Sequence, residues 1–301
     1  MAISEAQPQS LKIVKKEEGI LVKEGKEKVL FYQEKPQSFN GDYTRNHYIH
    51  PLHGLKGEVL TEDFPKDHLH QRGIFWAWHQ VIVEGKKMGD MWLTENFEWQ
   101  LESMMTNTQN NLAILKPVVL WKSADLKGEN GKKIPFVKEV TTISVHPVRQ
   151  SMRKIDFTIQ LSALKEAVYL GGSDNDKGYG GFSARIKLPD DIKFSAEYGP
   201  VEPKRTAVPE TPWMDFSGSF SGNKKSGILI LCHPSNPGFP PGWIIRDKGS
   251  MQNPVYPGRK PIILSQSKPL TLRYRMVIHD NKLEKQDINK LLENYKKQTN
   301  Y

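Results

Sequence analysis

Hydrophobic and polar residues alternate along most of this chain, in runs of strand length. Residues 136–146 (FVKEVTTISVH), 154–164 (KIDFTIQLSAL) and 270–279 (LTLRYRMVIH) place every second side chain on an apolar face, which is the period of a half-buried strand. Further apolar or β-branched runs occur at residues 11–14, 20–22, 29–32, 112–115, 118–121, 182–188, 228–232 and 243–246. The pattern predicts antiparallel strands along nearly the whole chain.

Only the C-terminal segment has a helical period. Ile288, Leu291, Leu292 and Tyr295 recur at i, i+3, i+4 and i+7 and form one apolar stripe on a charged segment. About fifteen strands with one helix exceed what a sandwich of seven to nine strands holds. We therefore predict an all-β fold, a large antiparallel β-sandwich with a C-terminal α-helix. It forms a single domain over residues 11–301, after a disordered or added tail at residues 1–10.

Composition narrows the possible partners. The 301 residues carry a formal charge of +9, but the lysines are scattered among glutamates, as in residues 23–28 (KEGKEK). Nucleic-acid-binding proteins instead cluster arginine on one face, so no nucleic-acid partner is expected. No apolar run approaches the roughly 18 residues of a membrane helix, so no membrane partner is expected either. The single cysteine, Cys232, excludes an intrachain disulfide and favours a core position.

The N-terminal residues bear on localisation. Residues 1–10 lack the basic start and apolar stretch of a signal peptide. We expect a periplasmic or secreted protein if a leader has been removed, and a cytoplasmic one otherwise.

Histidine and tryptophan are concentrated in residues 46–99. This stretch holds six of the nine histidines and four of the seven tryptophans. Imidazole exchanges protons near neutral pH and is a common metal ligand, and indole offers a flat apolar face with one donor edge. Core packing alone does not explain such a concentration, so the stretch is the candidate functional site.

His68 and His70 are the leading candidates for chemistry, because on an extended backbone two side chains at i and i+2 project to the same face. One interpretation is acid–base catalysis, with Arg72 stabilising developing negative charge. Another is a divalent metal site with both histidines as ligands. The simplest alternative is that backbone carbonyls satisfy both rings. No cofactor is certain; a third metal ligand would come from one of the remaining candidates, namely His50, His79, His233, Glu62 or Asp63.

Substrate-binding candidates surround this pair in the sequence. Trp76 and Trp78 share one face of the next predicted strand and would form a sugar-stacking surface, unless both rings are core residues. The glycine-rich loop at residues 170–182 presents Lys177 and Tyr179, or else only joins two strands. The remaining candidates are His50, His79, Arg185, on an alternating strand, and His233, before a proline-rich loop.

Several of these segments together resemble a bacterial family filed as PmoA-like, or "methane oxygenase PmoA". The segments are His50-Pro51-Leu52, residues 57–65 (GEVLTEDFP), Asp67-His68-x-His70-x-Arg72-Gly73, Trp76-x-Trp78, residues 177–182 (KGYGGF) with Arg185, Trp213-x-Asp215-x-Ser217-Gly218, and His233-Pro234 with Asn236-Pro237. The resemblance implies a galactose-mutarotase-like supersandwich acting in carbohydrate metabolism. It does not imply methane oxidation, because no segment here can span a bilayer.

These observations lead to a functional hypothesis. The protein is expected to be a carbohydrate-active enzyme (a lyase, epimerase or hydrolase) that acts on an oxidised or acidic sugar through histidine acid–base chemistry. Imidazole groups suit this chemistry better than a two-carboxylate glycosidase mechanism. The alternatives are a non-catalytic glycan-binding β-sandwich and a metal-dependent enzyme that uses His68 and His70.

Overall fold

A computed structural model describes residues 10–222, 224–280 and 282–298. Most of the expected N-terminal tail, residues 1–9, lies outside the described residues. The described chain is built from antiparallel strands and one helix near its C-terminus, and it contains no helix long and apolar enough to cross a membrane. The prediction of an all-β fold with a C-terminal helix is confirmed.

The strands fall into an N-terminal and a C-terminal series. The first series is β1 (Leu11–Lys15), β2 (Gly19–Glu24), β3 (Glu27–Gln33), β4 (Gln37–Phe39), β5 (Asp42–Arg45), β6 (Tyr48–Leu52), β7 (Ile74–Ala77), β8 (Gln80–Val83) and β9 (Lys86–Lys87). The second series is β10 (Glu98–Gln109), β11 (Leu112–Lys122), β12 (Val137–Val145), β13 (Met152–Ala163), β14 (Val168–Gly171), β15 (Gly181–Ala184), β16 (Lys193–Ala196), β17 (Gly199–Pro200), β18 (Trp213–Ser221), β19 (Lys224–Cys232), β20 (Trp243–Ile244), β21 (Asn253–Pro254), β22 (Ile262–Ile263) and β23 (Leu270–His279). The helix α1 spans Lys285–Lys296.

Two large sheets make up most of the fold. The nine-stranded sheet has the order β10-β11-β12-β13-β23-β19-β18-β16-β17, and the six-stranded sheet has the order β1-β2-β3-β6-β7-β15. A four-stranded sheet, β22-β14-β8-β9, and two small two-stranded sheets, β20-β21 and β4-β5, complete the described strands.

The main core lies between the two large sheets. Strand alternation turns Ile155, Phe157 and Ile159 of β13 into this core. Phe157 contacts Phe182 of β15 with ring centroids 5.1 Å apart, and Phe182 stacks on Tyr274 of β23 at 4.5 Å. These rings join the faces of opposite sheets, as in a β-sandwich.

The outer face of the nine-stranded sheet is covered in part by α1. Ile288, Leu292 and Tyr295 of the helix form a second apolar cluster with side chains of the sheet, namely Trp213, Leu229, Leu231 and Val277. The apolar stripe of the helix therefore packs where the alternate side chains of β18, β19 and β23 face outward.

A buried carboxylate joins the two large sheets. Glu139 of β12 is fully buried and accepts hydrogen bonds from Trp76 Nε1 at 2.7 Å, Trp121 Nε1 at 3.0 Å and Thr141 Oγ1 at 2.7 Å. His47 Nε2 lies 2.5 Å from the same carboxylate, and the other ring nitrogen of His47 bonds Tyr32. Burial raises the pKa of Glu139, but His47 and the donors outweigh it, so the pKa lies below its ordinary value. The carboxylate is therefore charged at neutral pH.

The structure has more strands than the sequence predicts. The missed strands include β10, which is 12 residues long but has almost no buried side chain, so that its sequence shows no apolar alternation. Other missed strands span only two to four residues, among them β9, β17 and β22. Backbone pairing, rather than side-chain burial, defines these elements.

Replacing Glu139 tests the role of the buried carboxylate. Glu139→Ala leaves the buried His47 ring and two indole N–H groups without their acceptor, so the free energy of unfolding should fall by about 3–5 kcal/mol. Glu98→Ala removes an exposed glutamate paired with Lys133 and should cost less than about 1 kcal/mol. Urea unfolding of both variants measures the difference, and equal losses would contradict the assignment.

Candidate functional site

The predicted catalytic histidines lie on a loop rather than a strand. The histidine loop, residues 63–73, connects the region after β6 to β7, and turns occur at residues 66–67 and 69–70. The expectation of an extended backbone there is wrong, because His68 N donates to Pro65 O at 3.0 Å and Gln71 N to His68 O at 2.8 Å. The two rings nevertheless meet edge to face, with centroids 5.7 Å apart.

Arg45 binds the backbone of the histidine loop. Its fully buried guanidinium donates to the carbonyls of Leu69 at 2.6 Å and Gln71 at 3.2 Å, and it pairs with Asp63 at 2.5 Å. The same guanidinium lies over the Phe64 ring, 3.3 Å from its centroid. Backbone carbonyls on both sides of His70 are thus fixed by one side chain.

Two further arginines complete this support. Arg72 is buried, donates to the His70 carbonyl at 3.2 Å and lies over the Phe75 ring. Burial and the nearby Arg45 charge lower the pKa of Arg72 to about 9. Arg185 binds Asp67 through two nitrogens, at 2.8 and 3.0 Å. Arg72 and Arg185 therefore hold the loop in place through its carbonyl and carboxylate groups.

His68 and His70 have different environments on this loop. His68 Nδ1 lies 2.8 Å from Asp67 Oδ2, so the carboxylate that Arg185 fixes also orients the His68 ring. Burial, the neighbouring His68 and the Arg72 charge lower the pKa of His70 to about 4. The His70 ring is neutral at pH 7, and it has no hydrogen-bond partner within the described part of the chain.

A histidine–aspartate pair lies beyond the end of β7. His79 Nδ1 lies 2.9 Å from Asp90 Oδ2, and the backbone N–H groups of Trp92 and Leu93 donate to Asp90 Oδ1, each at 3.1 Å. Burial opposes ionisation of Asp90, but its bond to His79 leads the interactions that leave its pKa below the ordinary value. A charged Asp90 accepts a hydrogen bond from His79 Nδ1 and orients the imidazole ring.

The free nitrogen of His79 is the unusual feature of this pair. Nε2 is buried and has no hydrogen-bond partner among the described residues. Buried polar atoms are almost always hydrogen-bonded, so such an atom requires a functional or structural reason. The histidine loop leads directly into β7, and His79 follows the end of that strand, so β7 connects the loop to this pair.

Aromatic rings enclose this histidine. The His79 ring stacks on Trp92 with centroids 5.4 Å apart, and Tyr179 meets both rings edge-on at 5.0 and 4.9 Å. Burial, together with the charge of Asp90, raises the pKa of Tyr179. Its phenol is therefore protonated at neutral pH and can donate a proton.

The glycine-rich loop brings Tyr179 to this position. A Cβ at Gly172 would lie 2.1 Å from the Gly178 carbonyl, so the two ends of the loop approach as only glycine allows. Arg259 pairs with Asp174 at 2.8 Å near the tip. Lys177, two residues before Tyr179 in the chain, is half-buried, and its ammonium makes no hydrogen bond or ion pair to the described residues.

Trp76 and Trp78 do not form an exposed platform, which corrects the prediction of a sugar-stacking surface. Both are essentially fully buried, at 2% and 0% exposure. Trp76 donates to Glu139, and Trp78 donates to the Tyr256 carbonyl at 3.0 Å. Strand β7 is buried on both faces, so neither face is open to a ligand.

Two other predicted residues lie outside the His79 cluster. His50 Nδ1 bonds Thr61 Oγ1 at 3.0 Å, and burial lowers its pKa. His233 Nδ1 bonds Ser235 Oγ at 2.7 Å and packs against Tyr295 of α1 on the outer face of the nine-stranded sheet. The structure thus separates His233 from the histidine loop.

The predicted metal site lacks a third ligand. Within the described ranges, no group of three or more His, Cys, Asp or Glu side chains is arranged to hold a metal. The carboxylates considered as third ligands have other partners: Glu62 pairs with Arg185 at 2.8 Å, and Asp63 binds Arg45 and Tyr48.

Sequence reasoning missed Asp90 and the role of Trp92. Asp90 follows Gly89 and accepts hydrogen bonds from the backbone N–H groups of Trp92 and Leu93. This is the pattern of an aspartate that organises a turn. That local signal identifies a turn but does not reveal that the second carboxylate oxygen meets His79.

The chain also matches a known family. A family model described as "Family of unknown function (DUF6807)" matches residues 20–293. This finding overturns the resemblance to the PmoA-like family, and nothing in it relates the chain to methane oxidation. No curated protein matches the chain in sequence.

One similar solved structure is that of a "putative mutarotase (YeaD)" from Salmonella typhimurium. The two chains are 10% identical, and the match covers 93% of this chain and 97% of that chain with a TM-score of 0.32. At this TM-score the likeness supports no transfer of function. The prediction of a large antiparallel β-sandwich rests instead on the sheets described above.

The low pKa of His70 predicts that this residue makes the free energy of unfolding sensitive to acid. The unfolded chain binds a proton at this histidine near pH 6.5, whereas the folded chain does so only near pH 4. Stability from this group is therefore complete above pH 6.5 and is lost as the pH falls towards 4. His70→Gln should reduce the loss of unfolding free energy between pH 7 and 4.5 by about 1–3 kcal/mol. Urea unfolding at both pH values measures this, and an unchanged loss would contradict it.

Proposed function

This chain belongs to the family of unknown function DUF6807, and we propose that it is an acid–base enzyme acting on an oxidised or acidic sugar. The observation that carries the proposal is the unpartnered Nε2 of His79, on a ring that Asp90 orients. A carboxylate that fixes the tautomer of an imidazole and stabilises its protonated form is a common device for a general base.

The proposed base has a proton donor beside it. The Tyr179 phenol is protonated at neutral pH, and its ring meets that of His79 at 5.0 Å. His79 Nε2 would remove the proton from a carbon next to a carboxylate or keto group. Tyr179 would return a proton to the opposite face of that carbon in an epimerase, or to the departing oxygen in a lyase.

In this proposal His68 and His70 bind the substrate, whereas Arg72 positions the loop that carries them. The neutral His70 ring would form a hydrogen bond with a substrate hydroxyl or carbonyl, and His68 would do so from the more exposed side of the loop. Arg72, which is buried and bound to the His70 carbonyl, is a positioning residue. The ammonium of Lys177, on the same glycine-rich loop as Tyr179, would attract the acidic group of the substrate.

This arrangement favours a lyase or epimerase over the other reactions considered. The groups here that have no hydrogen-bond partner among the described residues include the imidazole nitrogen of His79 and the phenol of Tyr179. Glycosidases instead usually need two carboxylates flanking the scissile bond. Asp90 is bound to His79, and Asp67 is bound to Arg185 and His68. A purely glycan-binding sandwich loses its main support because Trp76 and Trp78 are buried.

Proton exchange provides a direct test. Incubating the protein in D2O with uronic acids, their unsaturated or keto derivatives and uronate oligosaccharides should produce a substrate with deuterium at the reacting carbon, or an alkene product, both visible by NMR. His79→Ala and Tyr179→Phe should each lower the rate by about 10²–10⁴-fold, the usual contribution of a positioned acid or base.

A second histidine–aspartate pair supplies the control. His146 Nε2 lies 2.8 Å from Asp156 Oδ2 at the nine-stranded sheet, and His146→Gln should leave the rate unchanged. Full activity in His79→Ala, with the fold retained, would refute the proposed base. Absence of exchange and of elimination across the panel would refute the substrate class.

A further inference from the structure

A cleft lies on the outer face of the nine-stranded sheet, apart from the histidine loop. It has a volume of about 370 Å³ and is bordered by β16, β18, β19 and the segment that leads from β23 to α1. The volume falls within the range of small-molecule sites. The proposed reaction uses none of its lining residues.

The floor of the cleft is an ordered polar group. Asp215, which is 7% exposed, accepts hydrogen bonds from Ser217 Oγ at 2.5 Å and pairs with His279 Nε2 at 2.8 Å. A Cβ at Gly227 would lie 2.1 Å from the His279 ring, so the glycine makes room for this histidine. Asp215 and Ser217 belong to the Trp213-x-Asp215-x-Ser217-Gly218 segment noted in the sequence, and the structure places both in the lining of this cleft.

An unpaired acceptor lies in the wall. Asp280 lines the cleft; its Oδ2 lies 3.5 Å from Lys56 Nζ, but its Oδ1 is buried without a hydrogen-bond partner among the described residues. Because Oδ1 itself is buried, a ligand in the cleft would donate to Oδ2, whose lysine partner is 3.5 Å away. The wall therefore favours a ligand with hydrogen-bond donors.

The charges that line the cleft balance one another. The carboxylates of Asp191, Asp215 and Asp280 are matched by the ammonium groups of three lysines, namely Lys193, Lys225 and Lys282. A charged ligand would add an uncompensated charge, whereas hydroxyl groups both donate to carboxylates and accept from ammonium groups. Phe194 and Leu283 add apolar surface that suits the carbon skeleton of such a ligand.

We propose that this cleft is a second binding site, for a neutral polyhydroxylated molecule of monosaccharide size. The site is independent of the histidine loop, so the proposal does not depend on the reaction assigned to His79. Asp215 and Asp280 accept from the hydroxyl groups of the ligand, and the lysines at the rim donate to them.

Titration calorimetry of the full chain with D-glucose, D-galactose, D-glucuronate and D-glucosamine tests the site. At least one neutral hexose should bind, and both charged analogues should bind more weakly. Asp280→Ala removes an acceptor for the ligand, and Ser217→Ala removes the hydroxyl that orients Asp215, so each should weaken hexose binding about tenfold. Asp190→Ala, at an exposed aspartate outside the lining of this cleft, should leave binding unchanged.

The outcomes separate this site from the proposed catalytic one. His79→Ala should retain hexose binding, because His79 does not line the cleft. Absence of binding by both neutral hexoses, tighter binding of a charged analogue, or equal affinity in the folded Asp280→Ala and Ser217→Ala variants would overturn the proposal. Loss of hexose binding in His79→Ala alone would place the sugar at the histidine loop instead.

Discussion

The buried carboxylate of Glu139 is the interaction on which the site depends. It lies on the nine-stranded sheet, but two of its partners, His47 and Trp76, stand immediately before β6 and within β7 of the opposite sheet. The chain between those two strands contains the histidine loop. One charge between the sheets therefore fixes both ends of the segment that carries His68 and His70, and the strand that leads to His79. Because a charge at this depth is tolerated only when it is fully paired, the positions of its partners are strongly constrained.

Three arginines also constrain the position of the histidine loop. Arg45, Arg72 and Arg185 hold the carbonyls and carboxylates of the histidine loop. Burial, with the charges of Arg72 and Arg45, also keeps the His70 ring neutral. The same side chains thus position the loop and set the protonation state of its histidine. Asp90 has the corresponding role for His79, since it fixes one ring nitrogen and leaves the other without a partner.

Sequence reasoning selected a stretch but could not assign the contacts of its side chains. Residues 46–99, selected for their histidine and tryptophan content, hold the histidine loop, His79 and Asp90. It misjudged Trp76 and Trp78, because period 2 shows that side chains share a face but does not show whether another sheet covers that face. It did not show that Arg72 and Arg185 hold the loop, because a guanidinium that binds substrate and one that holds a loop have the same sequence signature.

The sequence by itself determined the all-β class, the antiparallel character and the C-terminal helix, because alternation and the i, i+3, i+4 stripe are local consequences of burying one face. Strands with little burial, such as β10, left no such pattern. The tertiary structure alone decided the pairing of His79 with Asp90, the path of the histidine loop and the burial of Glu139 between the sheets. Each of these depends on contacts between segments far apart in the chain, 92 residues in the case of His47 and Glu139, and residue order does not encode such contacts locally.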